Sequence, residues 1–144
     1  MKTIFLISCV KSKLDKPAPA KDLYTSSLFK GYLRYVAKTK NKKKLPLPAT
    51  TYILSAKYGL VELDQIIEPY DLTLLKMTRA EVKEWAETKV LPKLREVANL
   101  KEDLFIFLAG NRYRQFLVPQ IKHHHIPFIG LPIGKQLQAL KKLC

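Results

Sequence analysis

The sequence predicts an α/β fold, a three-layer arrangement in which helices cover both faces of a four-stranded, mainly parallel sheet. Short apolar runs that do not alternate with polar residues are typical of strands buried on both faces, and several occur along the chain. Between them lie segments whose apolar residues recur at helical spacing. Strands that alternate with helices favour a parallel sheet with right-handed crossovers. The length of 144 residues fits one domain, residues 1–144.

Four apolar runs predict the strands, at residues 3–9, 50–55, 103–109 and 126–131. The segments 10–24 and 56–75 have no hydrophobic period and contain prolines, so both are expected to be loops. A loop as long as the second one is uncommon inside a compact domain and usually has a function.

Helices are expected between and after these strands. Ser26 caps the first helix, which fades in a run of lysines at residues 38–44. The second begins at a capping box formed by Thr78 and Glu81, and Pro92 is expected to bend or split it. Two further helices are predicted, one starting at Asn111 and one covering residues 133–143.

The charge of the chain is the first indication of a partner. It has 26 Lys and Arg against 12 Asp and Glu, a formal net charge of +14. Such an excess on one small domain favours a polyanion, nucleic acid or a nucleotide above all. The alternative is a basic surface without a specific partner.

Several classes of protein are excluded or disfavoured. No apolar run reaches the ~18 residues of a membrane span, and the amino-terminal run lacks the cleavage site of a signal peptide. The chain is therefore expected to be cytoplasmic, with no membrane partner. Cys9 and Cys144 are its two cysteines, and reduced thiols are a simpler interpretation than a disulfide between them.

Ligands of open parallel sheets bind beyond the carboxyl ends of the strands. In this sequence each of these four ends is followed by Lys or Arg, and three by a Gly that allows close approach of the backbone. Tyrosines at two of them offer rings for stacking, which suits a phosphate together with a base. The predicted substrate-binding and phosphate-binding residues are Lys11, Lys13, Tyr58, Gly59, Tyr70, Gly110, Asn111, Arg112, Tyr113 and Lys135.

Four residues are candidates for catalysis. Asp64 and Asp71 are acids in a basic loop, and either could act as a general base or stabilise a developing cation, or else form a turn or cap. Lys57 could bind a phosphate or remain solvated. Cys9 follows a strand and precedes lysines that lower a thiol pKa, so it is either a nucleophile or a core residue.

No cofactor or metal is expected. The run His123–His125 lacks the spacing of metal ligands, because adjacent side chains do not point the same way on a strand or helix. Phosphate loops, the dinucleotide-binding glycine motif and the nucleophile elbow are absent from the sequence. The lysine run at residues 38–44 is expected to add only salt-dependent, sequence-blind affinity for nucleic acid.

Taken together, the turn residues resemble a family of small bacterial and phage domains of unknown function. The resemblance is carried by Ser8-Cys9 with Lys11 and Lys13, Tyr24 with residues 27–29, residues 54–60, Asp64, residues 69–71, and Ala109-Gly110 with Tyr113. That family is similar to the peroxide-stress protein YaaA and, more distantly, to a domain of archaeosine synthase. The resemblance implies a fold like that of uracil-DNA glycosylases and a role with modified or damaged bases.

The leading hypothesis is a protein that acts on DNA, RNA or a nucleotide and cleaves or exchanges the N-glycosidic bond of a base, as a glycosylase-like hydrolase does. The base would stack on Tyr58, Tyr70 or Tyr113 while Asp64 or Asp71 stabilises the oxocarbenium-like sugar. One alternative is a non-catalytic nucleic-acid-binding module that protects DNA under stress. Another is an enzyme on free nucleotides or nucleosides.

Overall fold

A computed structural model describes residues 1–11, 13–42 and 45–143. Ser12, the end of the lysine run at Lys43 and Lys44, and Cys144 lie outside the described residues, so the question of a disulfide to Cys144 does too.

The main sheet has five strands in the order β4-β3-β1-β6-β7. Four of them are parallel to one another, and β4 pairs with β3 in the antiparallel direction. Two short strands, β2 and β5, form a separate antiparallel pair. The strands are β1 Thr3–Ser8, β2 Ala18–Pro19, β3 Ala49–Ser55, β4 Gly59–Glu62, β5 Ile66–Ile67, β6 Leu104–Leu108 and β7 His123–His125.

Helices flank this sheet. They are α1 Ala20–Leu23, α2 Ser27–Lys42, α3 Arg79–Trp85, α4 Leu91–Val97, α5 Asn111–Arg114 and α6 Ile133–Leu143. A π-helical turn, Ala86–Val90, joins α3 to α4, and single 3-10 turns occupy Leu74–Lys76 and Val118–Gln120. The α/β class and the mainly parallel sheet are thus as predicted.

The buried strands follow from their composition. Every residue of β1 is buried, and it lies at the centre of the sheet between β3 and β6. A strand that is covered on both faces needs apolar side chains on both faces. Its sequence is therefore a continuous apolar run. Phe5, Phe105 and Phe107 are among the largest side chains that are fully buried.

Two of the predicted helix ends are confirmed. Thr78 accepts a hydrogen bond from the backbone of Glu81, whose carboxylate accepts one from the backbone of Thr78. The Ser26 hydroxyl accepts from the backbone of Phe29. Pro92 lies in the first turn of α4, where its missing N–H costs least, and the helical segment is divided just before it. The first helix continues to Lys42 rather than fading at residue 38.

Three predictions about the strands are wrong. The sheet has five strands and not four, because the predicted loop 56–75 contains β4. The last strand is His123–His125, paired with β6, and not residues 126–131. That later apolar segment contains Pro127 and a Gly130 with a positive φ of 79°, and it forms turns. The predicted loop 10–24 contains β2 and α1.

Gly59 explains how β4 forms. Its φ is +79°, a conformation that L side chains rarely adopt, and its α-carbon faces the π-helical turn. A β-carbon at this position would lie 2.2 Å from the carbonyl oxygen of Lys89. The glycine therefore lets the chain reverse after β3 while the reversed strand packs directly on that turn.

Candidate functional site

The carboxyl ends of β1, β3 and β6 meet at one edge of the sheet, called here the carboxyl edge. From β1 the chain crosses to β3, which lies on one side of β1 in the sheet. From β6 it crosses to β7, which lies in the opposite direction. Right-handed crossovers in opposite directions predict helices on opposite faces, which opens a crevice between β1 and β6. Cys9 and Ala109 follow these two strands, so the binding position expected from topology is at Cys9.

Cys9 is buried and in contact with a phenol from the other side of that crevice. Its sulfur lies 3.3 Å from the Tyr113 hydroxyl oxygen. The ring of Tyr113 packs edge-on against Trp85, with ring centroids 5.7 Å apart. The indole N–H of Trp85 donates to the backbone carbonyl of Ser55 at 2.9 Å. These contacts fix the ends of β1, β3 and β6 relative to one another.

Three hydroxyl groups meet beside this contact. The Ser55 hydroxyl donates to the Tyr70 hydroxyl at 2.8 Å, and the hydroxyls of Tyr70 and Tyr24 are 2.6 Å apart. The backbone N–H of Tyr58 donates to the Ser55 hydroxyl oxygen at 3.1 Å. Two hydrogen bonds among three hydroxyls use two of their three protons. The third proton is available to close the triangle or to bind an acceptor oxygen of a ligand.

Lys13 brings a positive charge to the same point. Its ammonium nitrogen lies 4.5 Å from the centroid of the Tyr70 ring and 5.8 Å from that of Tyr24. Burial lowers the pKa of Lys13 below its ordinary 10.5, while electrostatic interactions with Cys9 and Asp71 act in the opposite direction. An ammonium group in this position costs desolvation, which an anionic ligand would offset.

The phenols of the site keep their protons at neutral pH. Burial raises the pKa of Tyr24 to about 12. Burial also raises the pKa values of Tyr70 and Tyr113 well above the ordinary 10. The cluster therefore presents neutral O–H donors and one cation, which suits a ligand rich in oxygen or nitrogen acceptors.

Lys57 and Tyr58 lie in the turn that follows β3, and Gly59 begins β4 directly after them. The Lys57 ammonium is exposed and lies 5.3 Å from the centroid of the Tyr58 ring. Tyr58 is half-buried and packs edge-on against Tyr70 at 5.6 Å between centroids. This turn therefore borders the group of three hydroxyls, and it places two of the predicted binding residues, Tyr58 and Tyr70, in contact with each other.

A cavity of about 190 Å³ opens next to the end of β6. Gly110 and Asn111 line it together with aromatic rings from Tyr32 and Phe128. Ligand pockets usually measure about 300–1,000 Å³, so this cavity admits only a small group. Two of the predicted binding residues thus lie beside a cavity and not in the hydroxyl cluster itself.

Other predicted site residues lie elsewhere. Asp64 forms an ion pair with Lys21 at 2.9 Å and borders the beginning of β3, because the antiparallel β4 returns the chain to the opposite edge of the sheet. Arg112 donates to the backbone carbonyls of Leu74 and Met77.

The two remaining predicted lysines are exposed. Lys11 places its carbonyl 3.1 Å from the Lys13 ammonium, which donates to it. Lys135 lies in the first turn of α6.

Three residues that meet at the carboxyl edge were not among the predicted site residues: Tyr24, Ser55 and Trp85. Ser55 ends β3, so the carboxyl-edge rule alone could have identified it. The indole of Trp85 lies on an ordinary helical face, and nothing in the local sequence points to its hydrogen bond with Ser55.

Within residues 1–11, 13–42 and 45–143, no three His, Cys, Asp or Glu side chains are grouped as metal ligands. Over the same residues, no helix combines the length and apolar character needed to cross a bilayer.

Comparison with known proteins identifies one family. No curated protein and no solved structure matches the chain. The profile described as "Family of unknown function (DUF6884)" matches residues 4–142, which include all the carboxyl-edge residues described above. Because this match covers nearly the whole chain, the protein belongs to the DUF6884 family.

Proposed function

We propose that this protein acts on nucleic acid or a nucleotide at the carboxyl edge, and that it cleaves or exchanges the N-glycosidic bond of a base. The observation that carries the proposal is the convergence of Lys13, Tyr70 and Asp71. A cation, an aromatic ring and a carboxylate are brought together next to neutral hydroxyl donors. These are the groups that a phosphate, a base and a developing sugar cation require.

Asp71 is the acid that the proposal assigns to the reaction. It is exposed, follows Tyr70 directly, and its charge acts on Lys13. In hydrolysis, the bond between C1′ and the base nitrogen breaks, the base leaves with the electron pair and takes up a proton, and water adds to C1′. The Asp71 carboxylate would stabilise the positive sugar and accept the proton of that water. Asp64 is not assigned this role, because it lies at the other edge.

The high net charge and the sequence resemblance to base-modifying families also support the proposal. We include in it a fold of the uracil-DNA glycosylase type and a role with modified or damaged bases, both of which the resemblance implies; protection of DNA under stress belongs to the non-catalytic alternative.

Incubation with DNA and RNA carrying modified bases, followed by detection of abasic sites, tests the reaction. The wild type is expected to release a base, and Asp71→Asn to slow release by about 10²-fold or more. Asp64→Asn is the matched control, because it removes the same charge from the opposite edge, and it should retain the wild-type rate. Absence of release by a wild type that binds the oligonucleotide would reject catalysis.

A non-catalytic nucleic-acid-binding module is the second candidate. It is favoured by the excess of basic over acidic residues, 26 against 12, because this charge attracts a polyanion whether or not a base is cleaved. This candidate predicts salt-dependent binding that is the same for the wild type and Asp71→Asn. An enzyme on free nucleotides would instead be stabilised by the small ligand and bind polymers weakly.

A further inference from the structure

Three lysines surround the turn that follows β3. The Lys89 ammonium donates to the carbonyl oxygen of Lys57 at 3.0 Å, and the Lys93 ammonium donates to that of Tyr58 at 3.1 Å. The ammonium of Lys57 lies over the ring of Tyr58. The chain thus concentrates three exposed cations around two consecutive residues. Lys57, Lys89 and Lys93 are called here the lysine turn.

The backbone holds this arrangement in place. Lys89 belongs to the π-helical turn and Lys93 to α4, four residues later. Gly59 contacts the backbone of Lys89 so closely that no side chain fits between them. Lys57 is therefore attached to the turn before β4, and Lys89 and Lys93 to the continuous helical segment on which Gly59 packs. Their mutual positions do not depend on long, freely moving loops.

Carboxylates do not neutralise the lysine turn in the described part of the chain. The ion pairs there join Lys21 to Asp64 and Lys83 to Glu87. Lys89 and Lys93 instead donate to neutral carbonyl oxygens. Like charges held together repel one another, and a polyanion would relieve this repulsion.

The lysine turn is continuous with the candidate site. Tyr58 contacts Tyr70, and the Tyr70 ring lies under Lys13. Proteins that bind single-stranded nucleic acid combine cations along the path of the phosphate backbone with aromatic rings on which the bases stack. The lysine turn and the half-exposed ring of Tyr58 provide both kinds of group. A duplex keeps its bases stacked inside and would not use the ring.

We propose that the lysine turn binds the phosphate backbone of a single-stranded nucleic acid and directs the strand past Tyr58 to the site at Tyr70. This inference rests on the proposed function, since it assigns the path of the same substrate.

The salt dependence of binding to a fluorescent single-stranded oligonucleotide tests it. Each phosphate contact on a single strand contributes about 0.7 to the slope of log affinity against log salt. The triple variant Lys57→Gln, Lys89→Gln, Lys93→Gln should therefore lose about 2 from that slope. Tyr58→Leu should weaken binding about tenfold at constant slope, because it removes stacking and no charge.

The matched control removes three exposed lysines away from the turn, Lys101→Gln, Lys122→Gln and Lys141→Gln. It should change the slope far less than the first triple variant. Equal losses in the two triples, or a duplex bound as tightly as the single strand, would overturn the assignment while leaving the proposed function intact. Failure of the wild type to bind any oligonucleotide would instead overturn this assignment together with action on a nucleic-acid polymer, and would leave only a free nucleotide as the substrate of the proposed function.

Discussion

The sulfur of Cys9 and the hydroxyl oxygen of Tyr113 lie 3.3 Å apart, although 104 positions separate them in the chain. The contact joins the residue after β1 to the short helix after β6, at the place where the two crossovers leave in opposite directions. It ties the cluster of hydroxyls and cations to the centre of the sheet.

The hydroxyl cluster is expected to contribute to stability. Tyr70→Phe removes the partner of both Ser55 and Tyr24, whose hydroxyls are 2.8 and 2.6 Å away. Loss of the Tyr70 hydroxyl, which both buried hydroxyls use, should lower the free energy of unfolding by about 1–3 kcal/mol in urea denaturation. Tyr35→Phe, on a tyrosine outside the cluster, is the control and should cost less than about 0.5 kcal/mol. Equal losses in the two variants would contradict the hydrogen-bonded network.

The charge of Lys13 is expected to lower the stability of the folded protein and to strengthen its binding to nucleic acid. The pKa of Lys13 is below 10.5 in the folded protein, so the unfolded chain holds this proton more tightly. The folded state is therefore penalised at pH values below the folded pKa, and the penalty disappears as the pH rises toward 10.5. Lys13→Met should melt at the same or a higher temperature at pH 7 and bind oligonucleotides more weakly.

Lys16→Met, at an exposed position near Lys13, provides the comparison and should change neither property greatly. A marked loss of thermal stability in Lys13→Met at pH 7 would show that the charge stabilises the fold.

Gly59→Ala tests the turn on which β4 and the lysine turn depend. The alanine would combine a positive φ with a β-carbon 2.2 Å from the Lys89 carbonyl oxygen. We expect it to lower the free energy of unfolding by about 3 kcal/mol or more. Gly134→Ala, in α6 with open space around its β-carbon, should be neutral or stabilising by up to about 1 kcal/mol. Similar values for both would contradict the close contact.

The hydrogen bonds to the Asp103 carboxylate, at the opposite edge of the sheet, should make the stability of the protein sensitive to acid. Burial raises the pKa of the Asp103 carboxyl, but hydrogen bonds from the backbone of Asn99 and Lys2, at 2.7 and 2.9 Å, outweigh burial and hold the pKa below 3.8. A lowered folded pKa contributes stability that is complete above the unfolded value and is lost as the pH falls through the folded one.

Wild-type stability should therefore fall below about pH 4 more steeply than that of Asp103→Asn, which should be less stable at pH 7 by about 1–2 kcal/mol. Parallel pH profiles for the two proteins would exclude this role.

The sequence predicts the central strands well because strands that are buried on both faces consist almost entirely of apolar residues. It does not predict β7, since three histidines have weak strand propensity and pair with β6 through their backbone. It does not predict β4 either, because the reversal at Gly59 depends on contact with a distant helical segment.

The error at β4 also explains the position of Asp64. If residues 56–75 were a loop, Asp64 would remain near the carboxyl edge, but the antiparallel strand carries it to the other end of β3. The rule that ligands bind beyond the carboxyl ends of parallel strands points to Cys9, Lys13 and Tyr70, which do lie near one another in the structure. The partners Tyr24 and Ser55 become visible only when segments distant in the chain are packed against each other.

Titration of the ¹⁵N-labelled protein with a short single strand, followed by amide chemical shifts, tests the central claim most directly. The claim is that nucleic acid occupies the carboxyl edge around Lys13, Tyr70 and Asp71. The largest shifts should fall on the residues after β1 and β3, on Tyr70 and Asp71, and on the turn that begins at Gly110. Shifts concentrated at the opposite edge, around Ala49, Asn99 and Asp103, would contradict it.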